Sequence, residues 1–288
     1  MRRMVISGWT VSMVIGLATI AADAQWLNYP TPGVPRTPDG KPNLTAPTPR
    51  TAGGVPDLSG VWLHERTSVE EVRRLFGPIV DTLLKVDAPG MEIGTQHRYG
   101  LNILLDFPPN ASPMRPETAA LLREKGPPTV PADLCAGVPL GIPLADLLSE
   151  PIKIIQSPGI TVVLYEAGNS HRQIYTDGRS LPREFSFPAY LGYSVGRWEG
   201  DTFVVETAGF NDKTLLDVVG HRHSEDLRVV ERYRRRNFGR LDLEMTFDDP
   251  RMYTKPFTIS VPHDLLADSD IFESVCENEK DFAHLNQK

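Results

Sequence analysis

The chain has 288 residues, of which 40% are apolar, and its formal net charge is −7 at pH 7. This length and composition are those of an ordinary globular protein with a sizeable core. The excess of acidic residues argues against nucleic acid as a partner, because phosphate binding requires a net basic face.

Residues 1–24 predict a secretory signal peptide. Arg2 and Arg3 precede an apolar run, and Ala22 and Ala24 flank Asp23 as a small-x-small cleavage site. A retained membrane anchor is the alternative, since the run approaches the length needed to span a bilayer. Cleavage would leave 28 basic and 36 acidic residues, a net charge of −8. No later stretch could cross a membrane, so we expect a periplasmic or secreted protein without membrane contact after cleavage.

The two cysteines, Cys135 and Cys276, predict one disulfide in an exported protein. Such a bridge would join the middle of the chain to its C-terminal end. Two buried free thiols are the alternative interpretation.

Residues 25–56 contain frequent prolines and almost no apolar periodicity, which indicates an extended arm or linker. A single β-rich domain is expected over 57–288. Helical spacing of apolar residues covers 68–85, although Gly77 and Pro78 should divide it. A second short helix is predicted over 116–125. Recurrent prolines over 126–151 favour a segment that wraps around the body.

From residue 152 onward the apolar period changes to two, which is typical of strands. Predicted strands cover 152–156, 161–167, 172–176, 192–198, 202–208, 227–235, 241–247 and 257–261, with a last piece around 271–276. Hairpin-like breaks between them favour antiparallel neighbours. Eight or nine such strands favour an antiparallel β-barrel or sandwich, lipocalin-like, because closure removes exposed edges.

Strand parity places one carboxylate among inward residues. In 227–233 the odd positions are apolar except for Glu231 and Tyr233, so the odd face should point into the barrel. A buried carboxylate needs a partner or a raised pKa. Glu231 is therefore either an acid/base group or a structural ion pair with an inward arginine such as Arg172 or Arg197.

If the same strand began at His221, then His221, His223 and Glu225 would share the inward parity. Two imidazoles and a carboxylate could form a metal site with open positions. On a straight strand, however, they would spread over about 13 Å, so one ion would require a bend. The other interpretations are an acid/base pair of His223 and Glu225, and surface or capping roles.

Several other residues are candidates for a substrate site. Asp217 lies near the histidines in sequence and could orient an imidazole, while Arg172, Tyr193 and Arg197 could position substrate. The sequence contains no serine-hydrolase elbow, zincin helix motif, Cys-x-x-Cys pair, P-loop or dinucleotide fingerprint. These negatives reduce support for nucleophilic serine hydrolases, zincins and nucleotide-binding enzymes.

Short motifs follow one another along most of the mature chain. They are Asp-Leu-Ser-Gly-Val-Trp at 57–62, Ile-Tyr-Thr-Asp-Gly-Arg at 174–179, Gly-Tyr-Ser-Val-Gly-Arg-Trp-Glu-Gly-Asp-Thr at 192–202, Gly-Phe-Asn-Asp at 209–212, His-Ser-Glu at 223–225, Asp-Asp-Pro at 248–250 and Tyr-Thr-Lys-Pro at 253–256. In this order they resemble a large family of exported proteins from soil bacteria without a settled activity. The resemblance implies export and a common fold but no mechanism. The segment 134–139 is a looser version of a Cys-x-Pro-x-Gly-x-Pro element, which leaves the role of the wrapping segment undefined.

These observations favour an exported enzyme that converts a small organic molecule by acid/base chemistry, of lyase or isomerase type, without an organic cofactor. His223 is the expected base, oriented by Glu225 or Asp217, and Glu231 is the expected buried acid. A barrel that carries an apolar ligand without turnover is the alternative. A metal-dependent oxygenase or hydrolase at His221, His223 and Glu225 is the third hypothesis. The sequence does not define the oligomeric state.

Overall fold

The computed structural model describes residues 30–77, 97–125, 140–148 and 150–273. Within these ranges nine strands form one closed barrel in which each strand neighbours the next and β9 pairs with β1. The strands are β1 Gly60–His64, β2 Ile152–Ser157, β3 Ile160–Tyr165, β4 Ser170–Tyr175, β5 Tyr193–Glu199, β6 Thr202–Ala208, β7 Arg228–Asn237, β8 Arg240–Asp248 and β9 Phe257–Leu265. The prediction of a mainly β barrel is confirmed.

Tight turns join the strands where the sequence predicts hairpins. Gly159 and Gly200 take positive φ angles of 80° and 60° in the β2–β3 and β5–β6 turns, a conformation that glycine adopts without steric cost. These turns fix antiparallel pairing between the strands that they connect.

The β4–β5 pair departs from the antiparallel expectation. These strands run parallel and pair only at Ile174 with Ser194 and Tyr175 with Val195. A long connection over 176–192 replaces the hairpin turn, so β5 enters the barrel in the same direction as β4. The barrel is therefore mixed, and this short pairing is its narrowest seam.

Four short helices lie in the described ranges, rather than the expected one or two. They are α1 Val69–Phe76, α2 Arg98–Leu101, α3 Pro116–Lys125 and α4 Leu144–Leu147. Ser68 caps α1 by accepting a hydrogen bond from the Glu71 amide, and Gly77 ends it with φ 71°. The α3 bounds agree with the prediction. The α4 helix belongs to the expected wrapping segment, and all four of its residues are buried.

The barrel interior is filled by side chains rather than left open. Residues of alternate parity point inward and bury large aromatic groups, among them Trp62, Phe203, Tyr233 and Phe247. Leu58, Ile154, Thr161, Val163, Ile174, Phe203 and Tyr233 enclose a void without room for a water-sized sphere. This packing supplies the main apolar stabilisation of the fold.

Residues 30–56 of the arm pack against the barrel. Phe238 and Gly239 donate backbone hydrogen bonds to the carbonyls of Ala46 and Leu44, and Thr48 donates to the carbonyl of Arg235. The predicted last strand around 271–276 is described only at residues 271–273, which contain no strand, and its remainder lies outside the described residues. The signal peptide, Cys135, Cys276 and residues 126–139 lie outside the described residues. None of the described helices has the length and apolar character required to span a bilayer.

Candidate functional site

A single buried arginine links four consecutive strands from inside the barrel. Arg172 of β4 donates from Nε to Ser194 of β5 over 2.9 Å, and from Nη2 to Thr207 of β6 over 2.6 Å. Its two Nη atoms donate to the Glu231 carboxylate of β7. Because β4 and β5 pair at only two positions, these bonds reinforce the seam.

Glu231 faces inward, as strand parity predicts, and is completely buried. Besides Arg172 it accepts a hydrogen bond from the Tyr233 hydroxyl over 2.8 Å. Burial opposes the charge of Arg172, but the Glu231 carboxylate outweighs it and the net effect raises the pKa of the guanidinium. The structure therefore gives Glu231 the ion-paired role with Arg172 that the sequence left open.

Asp146 brings a second carboxyl group to this ion pair. It lies in α4, is 1% exposed, and neither of its oxygens has a hydrogen-bond partner among the described residues. Burial, reinforced by the negative charge of Glu231 and opposed by Arg172, raises the pKa of Asp146 to about 8. Asp146 is therefore a neutral carboxylic acid at pH 7 that can donate a proton.

Tyr165 of β3 is the second unpartnered group in this region. Its hydroxyl is buried without a hydrogen-bond partner in the described chain. Burial and then the charge of Asp146 raise the pKa of this phenol, so it also keeps its proton. We call Asp146, Tyr165, Arg172, Glu231 and Tyr233 the acid cluster.

A surface cleft of about 530 Å³ lies at the β4–β5 seam, and Arg172 is the member of the acid cluster that belongs to its described lining. Residues 168–173 form one wall and residues 189–194 form the other. Arg172 and Ser194, both nearly inaccessible, belong to its lining. Tyr175, Tyr190 and Tyr193 supply aromatic surface. The cleft thus connects solvent with the outer side of the Arg172 network.

The predicted base, His223, occupies a structural position outside this network. Its Nε2 lies 2.7 Å from Thr214 Oγ1, its Nδ1 lies 3.1 Å from the carbonyl oxygen of Ser224, and its ring packs edge-on against Phe210. Burial lowers the pKa of the His223 imidazole. Both nitrogens are engaged locally, which is the arrangement of a histidine that holds a loop together.

Asp217 orients a histidine, but the histidine is His221. Its Oδ2 lies 2.6 Å from His221 Nδ1 and also accepts from the Ile103 amide over 2.7 Å. Its Oδ1 accepts from the amides of Gly220 and His221. Four hydrogen bonds to one buried carboxylate identify it as an organiser of this loop.

The prediction that His221, His223 and Glu225 lie on the inward face of one strand is wrong. β7 begins at Arg228, so these residues precede the strand, and Glu225 is exposed while both histidines are buried. Within the described ranges, no group of three or more metal-ligating side chains is arranged to hold an ion. The hydrogen bonds of Glu231 go to Arg172 and Tyr233, whereas those of the two histidine rings go to Asp217, Thr214 and Ser224.

Two other predicted residues face outward. Arg197 is half exposed and pairs with Glu199 and Glu206 on the outer face of the barrel, so it cannot partner Glu231. Tyr193 lines the cleft and donates its hydroxyl hydrogen to the carbonyl of Phe187 over 2.9 Å. Tyr193 therefore keeps a position compatible with substrate contact, and Arg172 belongs to the lining of the same cleft.

Three buried histidines form a cluster that the sequence did not indicate. The His64 ring lies 5.6 Å from that of His97 and 6.5 Å from that of His263, measured between centroids. Burial lowers the pKa of His97 to about 2 and that of His263 to about 3. His64 Nε2 contacts the carbonyl of Leu148, next to α4. These neutral rings pack β1 and β9 against the segment that carries Asp146.

Comparisons of the chain with protein-family models, with curated proteins and with solved structures gave no match.

Proposed function

We propose that this chain is an exported enzyme of lyase or isomerase type that transfers protons on a small uncharged organic molecule, with Asp146 as its general acid. The proposal rests on the Asp146 carboxyl group, which is buried and has no hydrogen-bond partner among the described residues. Burial and the negative charge of Glu231 raise its pKa. A pKa near the operating pH suits a group that both gives and takes a proton. Strongly perturbed carboxyl groups are concentrated at catalytic sites.

The acid cluster supports a cofactor-independent proton transfer. Asp146 would protonate one atom of the substrate, and the resulting carboxylate would take a proton from a neighbouring atom, which balances an isomerisation. Arg172 lies near enough to lower the pKa of Asp146, so it favours the transient carboxylate. Tyr165 would donate a hydrogen bond to a carbonyl or hydroxyl oxygen of the substrate.

The charges of the cluster favour an uncharged substrate. Glu231 neutralises Arg172, and the donors of Arg172 are used by Glu231, Ser194 and Thr207. No cation is then left among the five residues of the acid cluster to hold a substrate carboxylate. Small carbonyl or hydroxyl compounds that accept hydrogen bonds from Asp146 and Tyr165 meet these conditions.

Access through the β4–β5 seam is part of the proposal. The cleft is the described opening that reaches Arg172 and Ser194, and only two residue pairs close the seam beneath it. Its tyrosines offer flat surfaces against which a planar molecule can pack. We propose export because residues 1–24 have the pattern of a signal peptide.

The alternative of an apolar-ligand carrier has less support. A carrier needs an open apolar interior, whereas Trp62, Phe203 and Tyr233 fill the described core. The carboxyl of Asp146 and the hydroxyl of Tyr165 would also face such a ligand without hydrogen-bond partners, which is costly.

Deuterium exchange tests the proposal across a whole class of candidate substrates. Small uncharged carbonyl and hydroxyl compounds are incubated with the protein in D₂O, and mass spectrometry measures deuterium incorporated at carbon. We expect incorporation with the wild type, a loss of at least about 100-fold in Asp146→Asn, and wild-type rates in Glu225→Gln, which alters an exposed carboxylate. Equal incorporation by the wild type and Asp146→Asn, or an unchanged molecule released from the purified protein without any exchange, would contradict the proposal.

A further inference from the structure

The arm contains one eight-residue pattern twice. Residues 35–42 read Pro-Arg-Thr-Pro-Asp-Gly-Lys-Pro and residues 49–56 read Pro-Arg-Thr-Ala-Gly-Gly-Val-Pro, so both follow Pro-Arg-Thr-x-x-Gly-x-Pro. We call residues 35–42 the first clasp and residues 49–56 the second clasp. The two copies begin 14 residues apart on one continuous arm.

The two clasps fold alike. In each, the threonine amide donates to the carbonyl of the residue before the last proline, and the glycine amide donates to the threonine carbonyl; all four distances are 2.9 Å. Gly40 and Gly54 occupy the left-handed region with φ angles of 81° and 82°, which explains the glycine. The amide after each clasp closes the loop on the carbonyl of Pro35 or Pro49.

Each clasp presents an arginine fork to one carboxylate of the barrel. Arg36 donates to both oxygens of Asp268 over 2.6 and 2.5 Å, and Arg50 donates to both oxygens of Asp201 over 3.0 and 2.8 Å. The same arginines also donate across their own loops to the carbonyls of Gly40 and Gly54. In each clasp, one guanidinium therefore binds both the loop carbonyl and the aspartate carboxylate. The planar guanidinium group suits this bidentate contact with a carboxylate.

We propose that Pro-Arg-Thr-x-x-Gly-x-Pro is a carboxylate-binding loop, used twice by this chain to fasten the arm to two separate points of the barrel. The second clasp holds the tip of the β5–β6 turn, and the first holds the segment after β9. Arm residues 31–34, which precede the first clasp, and Pro49, which begins the second, line a cavity of about 530 Å³ together with residues at this end of the barrel. The arm is thus a strap fastened across this end of the barrel at two points.

The two clasps differ in strength. The Arg36 and Asp268 side chains are 29% and 19% exposed, whereas those of Arg50 and Asp201 are 49% and 59% exposed. Asp268 also accepts from the Thr31 amide over 2.8 Å. Water and salt screen exposed pairs, so the second clasp is the one that opens first.

Amide exchange followed by NMR tests the proposal, with Thr37, Gly40, Thr51 and Gly54 as reporters. In Asp201→Asn we expect about tenfold faster exchange at Thr51 and Gly54 and wild-type exchange at Thr37 and Gly40. Asp268→Asn should give the reverse pattern with a larger acceleration. Asp177→Asn, which removes an exposed carboxylate paired with Arg179 outside the arm, serves as the matched control.

Arg50→Lys separates a carboxylate-binding loop from a simple ion pair. Lysine keeps the charge but cannot donate to Asp201 and Gly54 in one plane, so we expect the same acceleration as in Asp201→Asn. Wild-type exchange in Asp201→Asn or in Arg50→Lys would overturn the proposal. Equal acceleration of both clasps in either Asp variant would also overturn it, because the arm would then respond as one packed unit.

Discussion

Replacement of Asp146 by asparagine should stabilise the protein at neutral pH. The folded-state pKa of about 8 lies above the ordinary carboxyl value of 3.8, so the folded state binds this proton more tightly than the unfolded state does. Stability is therefore fully present below about pH 4 and is lost as the pH rises toward 8. Each unit of separation is about 1.4 kcal/mol, so at pH 7 burial of this carboxyl costs about 4 kcal/mol relative to pH 4. Asparagine does not ionise and is free of this dependence.

Chemical denaturation of the wild type and Asp146→Asn between pH 4 and pH 9 measures the effect. The difference in free energy of unfolding should grow in favour of the variant by about 5 kcal/mol across this window and become level above about pH 8. Subtracting the two free energies of unfolding at each pH cancels the contributions of the other titrating groups. The control variant Glu225→Gln should show the same pH dependence as the wild type. Parallel curves for the wild type and Asp146→Asn would refute the assignment of a raised pKa.

Three further predictions concern the remaining buried ionisable groups. Glu231→Gln should lower the free energy of unfolding by about 3 to 5 kcal/mol, because Arg172 is left uncompensated, and a double Glu231→Met, Arg172→Met variant should recover part of this loss in denaturant titrations. His97 and His263 have pKa values of about 2 and about 3, so stability should be lost as the pH falls from about 6.5 toward these values; at pH 5 each contributes about 2 kcal/mol of that loss, and thermal melts of His263→Gln should show a shallower decline. His223→Ala should destabilise the protein by about 2 to 3 kcal/mol through lost hydrogen bonds and packing, while deuterium exchange per folded molecule remains at the wild-type level.

The strand pattern predicted most of the barrel. Period-two spacing gave β6 its bounds, and parity placed Glu231 inside the barrel with Arg172 as a possible partner. Hairpin signals fixed the antiparallel pairs because turn chemistry is local. The parallel β4–β5 pair was missed because its long connection carries no pairing signal, and such pairing depends on contacts distant in sequence.

The candidate site was predicted only in part. The metal and acid/base hypotheses extended the strand back to His221, whereas β7 begins at Arg228. The alternation of inward and outward side chains therefore does not apply to His221, His223 and Glu225. Asp146 was missed because it lies in a proline-rich segment without periodicity. One signal could have identified it, namely a single carboxylate between apolar residues 142–148.

The histidine cluster illustrates the same limit. His64, His97 and His263 come from distant parts of the chain, and only barrel closure brings β1 beside β9. Sequence spacing contains no information about such a contact. The two clasps, in contrast, are a short repeat that could have been recognised from the sequence by its Pro-Arg-Thr spacing.

The most direct test of the central claim is a carbon-13 NMR titration of the aspartate carboxyl groups, with the Asp146 signal assigned by its loss in Asp146→Asn. A raised pKa predicts that this carboxyl carbon keeps the chemical shift of a protonated acid at pH 6 and titrates with a midpoint near 8. A midpoint at or below about 4 would mean that Asp146 is an ordinary carboxylate, and the proposed general acid would be contradicted.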